Sequence, residues 1–191
     1  MAEGSPNKRS VNYDTYKIVK NYFKLSSKAE LRHDLIFPFI ISLVLILLLY
    51  FCDLNIIKIL KDLNEVIITV MSILAGFNTA SIAIISSSNP LGFVERLEQQ
   101  GRAEADKLLK SLTCYFSYSI ILQLFILIIS IIASIALKFI DFENISDNIY
   151  YILILCTLFV IWFTLVLNSL FITLRNVGIL HNFILYLAKR R

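Results

Sequence analysis

The chain has 191 residues, of which 58% are hydrophobic and 17% charged, and its net charge is +4. A soluble domain carries about 25% charged residues, so the composition excludes an ordinary water-soluble globule and leaves no room for a separate large soluble domain. Cys52, Cys114 and Cys156 are too scattered for a disulfide framework, a zinc site or a redox pair, and read as apolar packing residues.

Residues 1–34 form a polar, basic segment without the apolar core of a signal peptide. Within it, Tyr13, Tyr16, Lys17, Lys20, Tyr22, Phe23 and Lys24 interleave aromatic and basic side chains, a pattern suited to the surface of an anionic leaflet. Ser27-Lys28-Ala29-Glu30 has the spacing of a capping box, which places a helix start near Lys28.

Four stretches then contain no Asp, Glu, Lys, Arg or His: 35–52, 66–88, 115–137 and 149–174. Each approaches or exceeds the roughly 20 residues that a helix needs to cross a bilayer. The expected fold is therefore all-α, a polytopic membrane protein with four transmembrane helices. The pieces between the spans are 53–65 and 138–148 on one side, and 89–114 with the tail 175–191 on the other. In 89–114, Pro90 to Gln99 alternates Leu91, Val94 and Leu97 with charged residues, and Arg102 to Thr113 runs into the third span without a break signal, giving a cytoplasmic helical loop. Asn176-Val177-Gly178 reads as a break after the fourth span, with 181–191 as a short interfacial helix.

Every basic residue except Lys58, Lys61 and Lys138 lies before the first span, between the second and third, or after the fourth. The positive-inside rule puts those regions, and both termini, in the cytoplasm. Both outer loops are short, which excludes a large external receptor domain. Lys17, Lys20, Lys189, Arg190 and Arg191 are the expected lipid-surface cations. Arg96, Arg102, Lys107 and Lys110 are the expected contacts for a cytoplasmic protein partner.

The spans differ in their faces. The first is almost purely aliphatic and suits a lipid-facing wall. The second sets Ser72, Gly76, Thr79 and neighbouring small residues in one arc, which allows close helix approach, and points Asn78 elsewhere, toward an interhelical hydrogen bond. The third carries Ser119, Gln123, Ser130 and Ser134 on one face, and the fourth Thr157, Thr164, Asn168 and Arg175. These stripes either bind one another in a dry bundle or meet at an oligomer axis to line a polar path. No span contains an acid of the kind proton-coupled transport uses, and no Ser/His/Asp, metal or phosphate-binding constellation is present. The expectation is a non-enzyme without a cofactor, in contact with membrane lipids and with copies of itself, a tetramer being the expected assembly. Direct nucleic-acid binding is not expected.

The size, the span pattern and the run Leu74-Ala75-Gly76-Phe77-Asn78-Thr79-Ala80 resemble small four-span membrane proteins of bacterial phage-defence systems, most of all the membrane subunit of the Kiwa system. The membrane proteins that accompany some RNA-targeting CRISPR effectors are similar in outline. The resemblance implies a homo-oligomeric sensor and scaffold in the bacterial inner membrane that works with a separate cytoplasmic effector. The alternative is a pore-forming effector or small ion channel that depolarises the cell.

Overall fold

The computed structural model describes residues 12–51, 56–87, 102–139 and 149–188. They form α1 (Tyr13–Leu25), α2 (Lys28–Phe51), α3 (Ile56–Ser87), α4 (Arg102–Phe139) and α5 (Ile149–Ala188), with no strand among the described residues. The chain is all-α, and α2 to α5 are each long and apolar enough to cross a bilayer. In hydrocarbon a helix satisfies its own backbone, so apolar runs of this length have no other open-chain solution.

The α1 helix is amphipathic. Tyr22 is fully buried, and Ile18, Val19 and Leu25 pack beside it on Cys114, Tyr115 and Tyr118 of α4. Lys17, Lys20 and Lys24 stay exposed on the other side. The helix ends at Ser26, whose backbone is extended and whose N–H still bonds the Tyr22 carbonyl. At the next residue a capping box begins: the Ser27 N–H donates to Glu30 Oε2 at 2.6 Å and the Glu30 N–H to Ser27 Oγ at 3.2 Å.

Along α2 only a narrow stripe is buried: Asp34, Pro38, Ser42, Ile46 and Leu49. This stripe rests chiefly on α5, with Ile46 and Leu49 against Phe159 and Val160. The remaining aliphatic surface of α2 faces outward. On α3 the buried positions are Asn64, Ile67, Met71, Ala75, Asn78, Ser81 and Ile85, spaced three or four apart as one helix face. The helix begins at Ile56, inside the stretch 53–65 expected as a loop. Lys58, Lys61, Asp62 and Glu65 remain exposed while Asn64 turns inward, so the helix extends past its charge-free run.

α4 packs on α3 and α5, and α5 also carries α2 and touches α3. Asn64 meets Ser130 while Asn78 meets Gln123, which makes α3 and α4 antiparallel; Tyr115 with Asn176 and Ser130 with Trp162 do the same for α4 and α5. The expected break at Asn176-Val177-Gly178 does not occur, and α5 runs through it to Ala188, 40 residues in all. Asn176 is buried and donates to the Tyr115 carbonyl, and beyond it Leu180 and Phe183 pack on Ile85, Leu112 and Phe116. Tertiary packing over this last stretch outweighs the weak helix preference of Asn and Gly.

Candidate functional site

The site begins with one missing proton donor. Pro38 lies inside α2 and has no N–H, so the carbonyl of Asp34, four residues earlier, loses its helical partner. A bare carbonyl in apolar surroundings is costly. Asn168 of α5 supplies the donor: its Nδ2 reaches across to the Asp34 carbonyl oxygen. Ser42 in turn donates to the Pro38 carbonyl at 2.8 Å.

Asp34 is thereby fixed with its carboxylate pointing into the bundle, and the residue is only 2% exposed. Its Oδ2 accepts from Arg175 Nη1 at 2.7 Å and from the Tyr22 hydroxyl at 3.0 Å. Arg175 Nη2 donates to the same hydroxyl at 3.2 Å. The guanidinium carbon lies 4.9 Å from the centre of the Tyr115 ring and 5.6 Å from that of Tyr22, within cation–π range. Tyr22 stacks on Tyr118 at 3.7 Å, and the Tyr115 hydroxyl donates to the Leu25 carbonyl at the end of α1. His33, exposed and stacked on Phe37, brings Nδ1 to 3.5 Å from Asp34 Oδ1. Burial holds the Tyr22 phenol above its ordinary range; Arg175 opposes the shift and Asp34 adds to it.

One carboxylate thus joins three helices directly, α1, α2 and α5, while α4 provides the aromatic floor. Arg175 was foreseen as a charge at the end of the fourth span. Its partner Asp34, just ahead of the first charge-free run, and Tyr22, in the aromatic and basic segment before it, were not, because they lie 141 and 153 residues away from Arg175. The proline four residues after Asp34 was the available signal: it marks the carbonyl that needs an outside donor.

A second polar cluster lies deeper. Asn78 Nδ2 donates to Gln123 Oε1 at 3.0 Å and to Ser119 Oγ at 3.2 Å; Gln123 Nε2 donates to Thr173 Oγ1 at 2.9 Å. Towards the far end, Asn64 Nδ2 donates to the Ser130 carbonyl at 2.9 Å and to Ser134 Oγ at 2.6 Å, and Trp162 Nε1 to Ser130 Oγ at 3.1 Å. The polar stripe of α4 therefore faces α3 and α5 of its own subunit. Asn64, Thr173 and Trp162 are its partners, three residues outside the polar and small-residue stripes that the sequence shows.

The other sequence candidates separate into groups. Gln123, Ser130, Asn78 and Asn168 are buried between helices. Thr164 is half-buried and donates back to the Val160 carbonyl. Ser72, Gly76 and Thr79 face outward, their hydroxyls bonded to carbonyls of their own helix, and a Cβ at Gly76 would meet nothing within 4 Å. Lys110 is exposed on α4, and Lys17 and Lys20 on α1. Arg102 and Lys107 belong to the first turns of α4, with side chains outside the described residues; Arg96, Lys189, Arg190 and Arg191 lie outside them altogether.

No group of three or more His, Cys, Asp or Glu side chains comes together as a metal site among the described residues. The carboxylate of Asp34 is occupied by a guanidinium and a phenol, a geometry that fastens helices. No known protein family matches the chain, and no curated protein or solved structure shows significant similarity to it.

Proposed function

We propose that this chain is a membrane-embedded sensor and scaffold subunit of a bacterial antiviral defence complex, seated in the inner membrane with both termini in the cytoplasm. The observation that carries the scaffold reading is the tie at Asp34. The interior polar groups link helices to one another, and one link fastens an amphipathic, lysine-bearing helix, α1, to the spanning bundle. Such a helix lies where it feels the lipid surface and is mechanically joined to the spans. The basic asymmetry of the loops supports the cytoplasmic side. The antiviral setting rests on the resemblance in size and span pattern.

Partner binding is assigned to Arg96, Arg102, Lys107 and Lys110 around the start of α4, and self-assembly to the outward small-residue face of α3, at Ser72, Gly76 and Thr79. Purification from the native host in mild detergent, with wild type and the triple charge reversal R96E/R102E/K107E, tests the reading. A cytoplasmic protein that accompanies wild type and is lost with the reversal supports it. Ion flux through liposomes holding the purified chain alone, with no accompanying protein, overturns it in favour of a pore.

A further inference from the structure

Near the start of α2, on its outer side, lies an open groove of about 400 Å³. Ala29, Arg32, His33, Ile36, Phe37 and Ile40 line it. Residues at this spacing share one helix face, so the groove runs along α2. It changes character on the way. Arg32 and His33 stand at one end, while Ile36, Phe37 and Ile40, each about half exposed, form the other. The step falls where the charge-free run begins, at Leu35. Arg32 lies three residues earlier, about 4.5 Å along the axis, on a helix long and apolar enough to cross a bilayer. It therefore stands at the level where lipid headgroups give way to chains.

Two features set this groove apart from the aliphatic surface around it. Arg32 is exposed, and among the described residues it has neither an ion-pair nor a hydrogen-bond partner. No carboxylate lines the groove among the described residues, because Asp34 turns inward and is held by Arg175. The His33 ring, by contrast, is contacted from three sides. It stacks on Phe37 at 5.8 Å, meets Phe171 of α5 edge-to-face at 5.4 Å, and has Nδ1 3.5 Å from Asp34 Oδ1. Phe37 and Phe171 are themselves 5.6 Å apart. Phe171 shares a face of α5 with Asn168 and Arg175, so the bonds that fasten Asp34 to α5 also set this aromatic wall. A guanidinium offers a planar fork that matches phosphate oxygens, and anionic lipids attract basic side chains at the membrane surface.

We propose that this groove holds one anionic phospholipid, its phosphate on the Arg32 guanidinium beside the His33 ring and an acyl chain along Ile36, Phe37 and Ile40. The assignment requires the bundle to be embedded in a membrane and is independent of the defence and scaffold reading. It is also separate from the exposed lysines of α1.

The full chain is purified in mild detergent with equal amounts of phosphatidylglycerol and phosphatidylcholine of identical acyl chains, and native mass spectrometry counts the lipid retained per subunit. The two lipids suit an apolar groove equally, and only the first keeps a net negative charge. The expected result is one lipid retained per chain, with about a five-fold preference for phosphatidylglycerol, which is what a single basic residue contributes at a charged lipid surface. Arg32→Gln brings the preference close to parity, whereas Lys20→Gln with Lys24→Gln leaves it unchanged. The comparison of lipids on the wild type leaves the protein untouched, so it decides the matter even where a variant fails to fold. Equal retention of the two lipids overturns the proposal and describes ordinary lipid contact. Preference lost with the α1 pair and kept with Arg32→Gln also overturns it, in favour of diffuse surface charge. Displacement of the lipid by glycerol 3-phosphate at matched concentration does so too, because it describes an anion site that takes no chain.

Discussion

The bond from Asn168 to the Asp34 carbonyl predicts a specific dependence between two positions on different helices. Asn168→Leu removes the one outside donor to that carbonyl among the described residues, within a helix where Pro38 supplies none. The acceptor is then buried and bare, at a cost of about 1–3 kcal/mol. Pro38→Ala restores an N–H at the position that reaches the Asp34 carbonyl along the helix. In that background the carbonyl remains satisfied without Asn168, and Asn168→Leu costs about 1 kcal/mol or less, the net worth of a single interhelical hydrogen bond. The coupling between the two changes is therefore about 1–2 kcal/mol, within the range for residues that share a partner. Reversible unfolding in mixed micelles, followed by circular dichroism, gives the four stabilities of the cycle. Equal costs of Asn168→Leu in the two backgrounds would refute the reasoning, because the carbonyl would then have a donor other than Asn168.

Further expectations concern the same region and the deeper cluster. Asp34→Asn leaves Arg175 partly buried without its counter-charge and should destabilise by about 3–5 kcal/mol, whereas Asp34→Leu with Arg175→Met should be far milder; singles that add up to the double would contradict this. Tyr22→Phe keeps the stack on Tyr118 but loses the bonds to Asp34 and Arg175, so it should cost about 1–3 kcal/mol and speed tryptic cleavage at Lys20 and Lys24; unchanged cleavage would count against α1 being fastened there. Because burial favours the neutral Tyr22 phenol, its contribution is complete below the ordinary phenol value of about 10 and is lost as pH rises beyond it. The tyrosinate absorbance of wild type minus Tyr22→Phe should accordingly stay flat until the protein unfolds, and a difference titrating in the ordinary range would exclude the buried placement. Asn78→Leu removes the bonds to Ser119 and Gln123 and should cost about 1 kcal/mol, read in the same micelle titration; no change would mean those two bond each other equally well without it.

The spans were legible because charge is excluded from hydrocarbon, and the capping box because it is a local spacing. The cross-helix bonds of Asn78 followed from an amide at membrane depth. Helix limits were harder, since charge-free runs mark the apolar zone and not the helix: α3 begins ten residues before Val66, and that error hid Asn64 in a supposed loop. The small-residue face of α3 was legible as a face but not as an orientation. The packed side is the neighbouring one through Asn64, Met71 and Asn78, while Gly76 looks outward. Arg175 reads as a boundary charge, Asp34 stands just ahead of the first charge-free run, and nothing local to either states that they meet.

The placement of the polar ties decides what can move. In lipid, aliphatic contacts between helices carry no hydrophobic drive, so packing and hydrogen bonds hold the bundle. From Ile46 to Leu49, α2 meets α5 through Phe159 and Val160 in an apolar contact. Its cross-helix polar contacts with α1 and α5 gather at Asp34: the carbonyl to Asn168, the carboxylate to Arg175 and Tyr22. α1 is joined to α2 by only Ser26 and Ser27, and it too is held through Tyr22 at the same carboxylate. A change at Asp34 therefore acts on α1 and α2 together, while α3, α4 and α5 keep their own bonds through Asn64, Asn78 and Asn176. The fold consists of a three-helix frame and an α1–α2 arm that also packs on α4 and α5, with Tyr115 bonded to the Leu25 carbonyl, and Asp34 is the charged tie that joins arm and frame.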